Sequence, residues 1–342
     1  MKKIYFFAPS KIVEEFKTQN SLTWYKVAEL ISAGISSNTT SWILTTYLYL
    51  KDHGLSCELI DYIPEEGILI ADRDTLGNKY PYFGKVMLIC TKGDREFHPS
   101  AHLHIVHNQM ETQNVANFWN SYYIPHWPQP DIIPRLKERG STVKNIAYIG
   151  STSNYTEEFK SEEWMKAIEE IGCQWCPNFN PNQWNDYSNI DIIVAVRSFG
   201  QSTYTHKPAS KLVNGWHAGV PCILAPESAF MTIRKSELDF IAINSIGEII
   251  EGVKKLKNNP QLYLSMIQNG HERKTEFSKE KITQIWLDYF KNYVMEKYEE
   301  WMKMNEWQKR YDWAQRNILL KSKRVENRIN NYKNPTPKVR KD

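Results

Sequence analysis

The 342-residue sequence lacks several features that would assign it to a class at once. It has no run of 18 apolar residues, so we expect no membrane-spanning helix, and its first residues predict a buried strand rather than a signal peptide. Its five cysteines are too few for a disulfide framework in a chain of this length. It contains neither a Walker loop nor a G-x-G-x-x-G fingerprint. These absences favour a cytoplasmic protein without a standard ATP or dinucleotide motif.

The sequence also has little net charge outside its last segment. Residues 1–278 carry 27 basic and 30 acidic side chains, whereas residues 279–342 carry 16 basic and nine acidic ones. Because the basic charge is not spread over the chain, we expect no nucleic-acid partner. The basic end holds Trp301, Trp307 and Trp313, which is typical of a helix at an anionic membrane surface. A solvated helix packing back across the molecule fits the same pattern, and this interpretation is preferred.

Short apolar segments alternate with helical segments in two series, which predicts two α/β halves built on parallel sheets. Four prolines within residues 122–140 interrupt regular structure between the halves. A long helical pattern without proline runs from residue 278 to about 331. The predicted strands are 3–8, 56–61, 85–90, 103–107, 145–150, 191–196 and 220–225. The predicted domains are 1–125, a linker 126–144, a second domain 145–278, crossover helices 279–333 and a frayed tail 334–342.

The most informative segment is residues 191–228, where a strongly apolar strand delivers Arg197 to its carboxyl end. A helix is predicted over 210–218, closed by Gly219. Lys207 and Lys211 lie at its start, four residues apart and therefore on one face. A helix N-terminus with three cations beside it favours a phosphate or diphosphate group. An equally weighted alternative is that the lysines are solvated and that Arg197 forms a structural ion pair.

The block His206-Lys-Pro-Ala-Ser-Lys-Leu-Val-Asn-Gly-Trp-His-Ala-Gly-Val-Pro221 resembles the donor-binding helix and following strand of GT-B glycosyltransferases. The linker 123–135 and the strand after it are also similar to the passage between their domains. The resemblance covers residues 120–290 well and residues 1–119 only in architecture. It implies two Rossmann-like domains facing across a cleft, with the long C-terminal helix crossing back onto the first.

The resemblance also implies roles for particular residues. The second domain would bind a nucleotide-sugar and the first a glycan or lipid-linked acceptor, without a bound metal or other cofactor. Arg197, Lys207 and Lys211 would neutralise the donor diphosphate, and Glu227 and Ser228 would contact the donor. Many retaining members carry two glutamates eight positions apart, where this chain has His206 and Asn214. Sugar and ribose contacts fall on these two positions, and the departure leaves the stereochemical outcome open.

Candidate residues in the first half are fewer. The segment Gly34 to Asn38 fits either a glycine-containing loop near the donor phosphates or a plain helix kink, with the kink slightly preferred. His107, at the end of an apolar strand, is a candidate catalytic base because a neutral imidazole accepts a hydroxyl proton near pH 7. A structural role is the more frequent one for such a histidine. Asn108 and Gln109 follow it and are expected at the acceptor cleft. His102 and His104 would share one face of a strand while His107 would face the other, so the histidines do not converge easily and we expect no metal site.

The function predicted from these residues is transfer of a hexose or deoxyhexose from a nucleotide-sugar, in the cytoplasm or at the inner membrane face. Two other functions fit the same pattern. One is an epimerase or phosphorylase that uses the same cleft. The other is a non-catalytic, glycosyltransferase-like subunit that stabilises a partner, which the missing glutamate pair favours.

Overall fold

In a computed structural model of the chain, residues 3–19, 21–113, 118–200 and 203–333 are described, and the predicted tail 334–342 lies outside them. Two sheets form the framework, and every strand pair within them is parallel. The first sheet has the order β2-β1-β3-β4-β5-β6 and the second β11-β10-β9-β7-β8. This is the predicted α/β class, with one sheet in each half of the chain.

The first sheet is the larger one. Its central strands are buried along their whole length, as expected for parallel strands covered on both faces. Pairing sets Ile4 of β1 opposite both Cys57 of β2 and Ile68 of β3. Its strands are β1 Ile4–Phe7, β2 Cys57–Ile60, β3 Gly67–Asp72, β4 Val86–Thr91, β5 Leu103–Val106 and β6 Ser121–Tyr123.

Helices connect these strands. A π-helical segment, Thr39–Leu44, leads directly into the third helix. The helices of the first half are α1 Ser10–Phe16, α2 Trp24–Ser32, α3 Thr45–Asp52, α4 Arg73–Leu76 and α5 Met110–Gln113.

The second half repeats the strand and helix alternation on a smaller scale. Its strands are β7 Asn145–Ala147, β8 Gln174–Trp175, β9 Ile192–Ala195, β10 Cys222–Leu224 and β11 Ile241–Ala242. Its helices are α6 Glu162–Glu170, α7 Ser210–Ala218, α8 Ser228–Ile233, α9 Ile246–Asn258 and α10 Pro260–Arg273. Short 3₁₀ turns lie at Lys137–Arg139, Thr152–Asn154, Glu157–Lys160, Pro181–Gln183 and Lys274–Phe277.

The predicted helix over 210–218 is confirmed with both of its ends. Gly219 ends α7 in the left-handed conformation, with φ +69°, which is the reason a glycine stands there. The predicted strands correspond to β1, β2, β4, β5, β7, β9 and β10. The strand β3, in the middle of the first sheet, has no counterpart among the predicted strands, although its sequence Gly-Ile-Leu-Ile-Ala-Asp is a clear apolar run.

The chain returns to the first half after residue 278. Helix α11 Lys279–Asp288, a π-helical segment Tyr289–Val294 and helix α12 Met295–Lys303 pack on the first sheet. Trp286, Tyr289 and Phe290 are buried in the same core as Ile4 and Phe6. This confirms the predicted crossing of the C-terminal helical segment onto the first domain.

The single helical pattern predicted over 278–331 is wrong in one respect. The helix ends at Lys303, and a separate helix, α13 Glu306–Lys333, begins after Asn305. The Asn305 side chain accepts a hydrogen bond from the Gln308 amide, and the Gln308 side chain accepts one from the Asn305 amide, both at 2.9 Å. This reciprocal cap starts a new helix and explains the break.

Candidate functional site

The carboxyl end of the second sheet brings together the predicted cations around one carboxylate. Arg197 follows β9 and forms an ion pair with Glu227, which follows β10 and is buried. Burial raises the pKa of Glu227, while Arg197, Lys211 and Lys207 act in the opposite direction. All three cations predicted from the sequence therefore lower the pKa of one carboxylate at this edge of the sheet.

Lys211 is enclosed at the first turn of α7. Its ammonium group donates a hydrogen bond to the Ile149 carbonyl and lies 4.6 Å from the ring centre of Tyr148. Burial, reinforced by Arg197 and opposed by Glu227, lowers the pKa of Lys211 to about 7. A Cβ at Gly150 would lie 2.7 Å from the lysine nitrogen, and the φ of +150° at this residue is one that favours glycine. An anion that binds beside this amine would raise its pKa, and the amine would then be fully protonated.

Lys207 precedes α7, which begins at Ser210, so the prediction that it shares a helix face with Lys211 is wrong. Its side chain faces the opposite lobe. It forms an ion pair with Asp94, in the loop after β4 of the first sheet. Asp94 also lies 3.5 Å from Nε2 of His107. Burial raises the pKa of Asp94, but His107 and Lys207 outweigh it, and the net pKa is lowered. The Asp94 carboxylate is therefore ionised. It neutralises Lys207, the side chain that we predicted would bind a phosphate.

His107 and Asn108 make further contacts across the cleft. Nε2 of His107 is 2.7 Å from the His206 carbonyl oxygen. The Asn108 side-chain amide donates to the Lys207 carbonyl at 3.1 Å and to the Ser228 hydroxyl at 2.8 Å. These bonds join the carboxyl end of β5 to the start of α7 and α8, so the two lobes are in contact at the predicted site.

The ring of His107 is almost fully enclosed. Its side chain is 3% exposed, and Nδ1 is buried with no hydrogen-bond partner among the described residues. Trp42 lies against it, with the ring centres 5.7 Å apart. In this closed arrangement neither ring nitrogen faces open space, and its role as a base stays a prediction that requires the His206 contact to open.

The remaining predicted positions are engaged in local contacts. The Asn214 side chain donates to the Gln129 side chain at 3.0 Å and accepts from the Gln129 amide at 3.2 Å, which ties α7 to the linker. Burial, followed by Lys207, lowers the pKa of His206. Gln109 accepts hydrogen bonds from Thr112 through its backbone carbonyl. Their predicted donor and acceptor roles remain predictions.

Gly34 lies at the end of α2 with φ +84°, and nothing lies within 4 Å of the position a Cβ would take. The loop that follows is fixed at Asn38, whose side chain donates to Asp74 at 2.7 Å. A Cβ at Gly93 would lie 2.7 Å from the Asn38 side chain. This loop is thus packed beside the segment that carries Asp94, and the geometry of Gly34 itself is that of a helix C-terminal cap.

Asp94, Lys92 and Glu111 were not among the sequence candidates. Lys92 is 4% exposed and pairs with Glu111 at 2.6 Å, and burial raises the pKa of Glu111. The signal available in the sequence was Lys92-Gly93-Asp94 directly after a buried strand, since parallel strands present their loops at one edge.

A cavity of about 220 Å³ lies between the lobes beside Asn214. Two donors in its wall, Nε2 of Gln129 and Nε1 of Trp184, are buried without a hydrogen-bond partner among the described residues. The walls combine aromatic, proline and aliphatic side chains with serine, threonine and amide side chains. The lining residues are Trp24, Val27, Ile31, Ser37, Ser41, Thr45, His126, Trp127, Pro128, Gln129, Pro130, Trp184, Ser210 and Asn214.

Comparisons with known proteins give a likeness in structure alone. No family model and no curated protein sequence matches the chain. The structure of WaaG, a glycosyltransferase involved in lipopolysaccharide biosynthesis, is similar with a TM-score of 0.50 and 9% identity, over 85% of this chain and 100% of WaaG. Together with the two facing parallel sheets and the returning C-terminal helices, this likeness shows that the chain has the GT-B fold.

Two further solved structures are similar at lower TM-scores. Anabaena HepE, in complex with UDP and glucose, has a TM-score of 0.47 and 10% identity, over 85% of this chain and 99% of HepE. TarM has a TM-score of 0.47 and 13% identity, over 73% of this chain and 58% of TarM. This chain therefore spans less than two thirds of TarM.

Proposed function

We propose that this protein is a glycosyltransferase that moves a hexose or deoxyhexose from a nucleotide-sugar donor to a glycan or lipid-linked acceptor. The observation that carries the proposal is the cluster of Arg197, Lys207 and Lys211 around Glu227, at the carboxyl end of a parallel sheet and facing a second lobe. Ligands of such folds bind at this edge. The fold shared with WaaG supports the same conclusion.

The chemistry is a displacement at the anomeric carbon. The bond from that carbon to the donor diphosphate breaks, and its electron pair leaves with the diphosphate. A bond to an acceptor hydroxyl oxygen forms, and that hydroxyl gives its proton to a base, for which His107 is the candidate. Negative charge grows on the leaving diphosphate, and cations fixed in a dry pocket stabilise it without reorganising. Lys211 and Arg197 would supply that stabilisation from the second lobe, and Lys207 would join them once it leaves Asp94.

To bind Lys207, the donor diphosphate would have to displace the Asp94 carboxylate from its ion pair with this lysine. Asp94 is a carboxylate paired with the same ammonium group, so the pair holds the lobes together before a donor arrives. A diphosphate carries more charge than one carboxylate and replaces it. Asp94, released from the lysine, keeps His107 as its neighbour.

A transfer assay and a binding assay test this proposal together. The full chain is incubated with nucleotide-sugars and candidate glycan acceptors, and product is measured by mass spectrometry. We expect Lys211→Met to slow transfer at least about 100-fold, as loss of one oxyanion-type contact does, with the fold intact by circular dichroism. Turnover of Lys211→Met equal to that of the unaltered protein would remove Lys211 from the mechanism.

The second candidate function, a non-catalytic subunit of glycosyltransferase fold, rests on a separate observation. His206 and Asn214 stand where many retaining enzymes carry glutamates, and Asn214 is fully engaged with Gln129. Calorimetric titration with nucleotide-sugars separates the two functions. An enzyme binds at least one of them with measurable heat, whereas a scaffold binds none.

A further inference from the structure

Helix α13 has two faces with different surroundings. The inner face packs on the first lobe, where Trp313 Nε1 donates to the Tyr80 carbonyl at 3.1 Å and Arg316 Nε donates to the Pro99 carbonyl at 2.9 Å. Leu320, on the same face, is buried in a small cluster with Phe97 and Trp119. The helix is therefore fixed in orientation, and its other face is turned outward.

The outward face carries an exposed apolar line that we name the outer stripe. Helical geometry places its five side chains within about 40° of one another around the axis. The members and their exposed fractions are Trp307 84%, Tyr311 63%, Ile318 67%, Val325 53% and Ile329 48%. The outer stripe extends over more than 20 residues of one helix. On an ordinary protein surface, exposed apolar residues are scattered singly.

One edge of the outer stripe carries cations, which we name the basic row: Arg310, Lys321 and Arg328. All three are exposed, and helical geometry places them together on the same side of the stripe. The sequence after residue 333 adds three basic residues and one acidic residue. A tryptophan and a tyrosine at one end, aliphatic side chains along the line and cations at its border match a helix that rests on an anionic bilayer.

A second copy of helix α13 would fit the outer stripe less well than a bilayer does. Residues spaced by seven along a paired helix occupy one seam position, here Tyr311, Ile318 and Val325. The companion seam position holds Trp307, Ala314, Lys321 and Arg328, so pairing would enclose two cations per chain. At a bilayer the same cations reach the headgroups while their stems lie along the apolar surface.

We propose that the outer stripe lies in the interface of an anionic lipid bilayer, with the basic row on the headgroups. This docking is independent of the proposed transfer reaction. None of the helices in the described part of the chain is long and apolar enough to span a bilayer, and the proposed contact is peripheral. It would hold the first lobe against a membrane surface.

Vesicle binding of the full chain tests this proposal. Sedimentation with vesicles of 70% phosphatidylcholine and 30% phosphatidylglycerol is compared with pure phosphatidylcholine. We expect the unaltered protein to bind the anionic vesicles. Val325→Glu should weaken binding about tenfold, and Lys321→Gln/Arg328→Gln about 30-fold.

Matched controls add or remove the same charge elsewhere. Asn330→Glu adds one negative charge to α13 outside the stripe, and Lys254→Gln/Lys255→Gln removes two exposed cations from α9; both should bind within about twofold of the unaltered protein.

The proposal is overturned if the unaltered protein binds both vesicle types equally or not at all, or if the controls lose binding equally. It is also overturned if analytical ultracentrifugation shows a dimer that Val325→Glu dissociates while vesicle binding stays unchanged.

Discussion

Lys211 is the residue on which the proposed site depends most. Its ammonium group is enclosed by Tyr148, the Ile149 carbonyl and the Gly150 backbone, with Arg197 nearby. Burial and the neighbouring guanidinium lower its pKa to about 7. A buried amine with a lowered pKa is poised to gain a proton when an anion binds beside it.

This environment predicts a pH dependence of nucleotide binding. Below pH 7 the amine is already charged, and binding of UDP takes up no proton at this site. Above pH 7 the free protein must gain a proton on binding, because the diphosphate raises the pKa of Lys211. The Kd for UDP, measured calorimetrically, should therefore rise about tenfold per pH unit between pH 7.5 and 9.

Two variants make this dependence specific to Lys211. Lys211→Met should bind UDP weakly with a flat profile, since the titrating amine is gone. Lys207→Met should bind weakly but keep the slope. A flat profile in the unaltered protein, or an unchanged slope in Lys211→Met, would contradict the proposed role of the amine.

At the scale of elements, the loop after β4 and the start of α7 are joined by the Asp94–Lys207 pair. Asp94→Asn keeps the shape but frees the lysine for a phosphate. Because both partners are partly exposed, we expect only about fivefold tighter UDP binding, measured by calorimetry. Asp61→Asn, at an exposed position in another loop, serves as the control. Weaker UDP binding in Asp94→Asn would contradict a competition between carboxylate and phosphate.

The crossover helices give a matched pair of tryptophan substitutions. Trp286 is completely buried against the first sheet, whereas Trp307 is exposed. Trp286→Ala should lower the free energy of unfolding by about 3–5 kcal/mol, and Trp307→Ala should change it by less than about 0.5 kcal/mol. Urea denaturation followed by circular dichroism measures both. Equal effects would mean that the crossover does not belong to the core of the first lobe.

The sequence predicted the elements whose signals are local. Seven strands and the helix 210–218 follow from apolar runs and a glycine end. The strand β3 was missed although its apolar run is clear, and the break at Asn305 was missed because a reciprocal cap interrupts a pattern whose periodicity continues. Within the site, the cations were predictable because Arg197 follows one strand and the two lysines lie just before and at the start of one helix. Asp94 was not, since its partner lies 113 residues away on the other lobe.

At the scale of the whole molecule, the two lobes are held closed by contacts of Asp94, His107 and Asn108 with the start of α7 and α8. The cavity left between the lobes is about 220 Å³. A nucleotide-sugar is larger than this space, since pockets for ligands of that size occupy roughly 300–1,000 Å³. Binding of a nucleotide-sugar between the lobes, as we propose, would therefore require these contacts to open.

The most direct test of the central claim is thermal unfolding of the full chain in the presence of a panel of nucleotide-sugars. The same panel is applied to Arg197→Met/Lys207→Met/Lys211→Met, after circular dichroism has shown that the variant is folded. A ligand that binds only the folded state raises the Tm. We predict that at least one nucleotide-sugar raises the Tm of the unaltered protein and leaves that of the variant unchanged. No shift with any member of the panel, or an equal shift in the variant, would contradict the cationic site as the place where the donor binds.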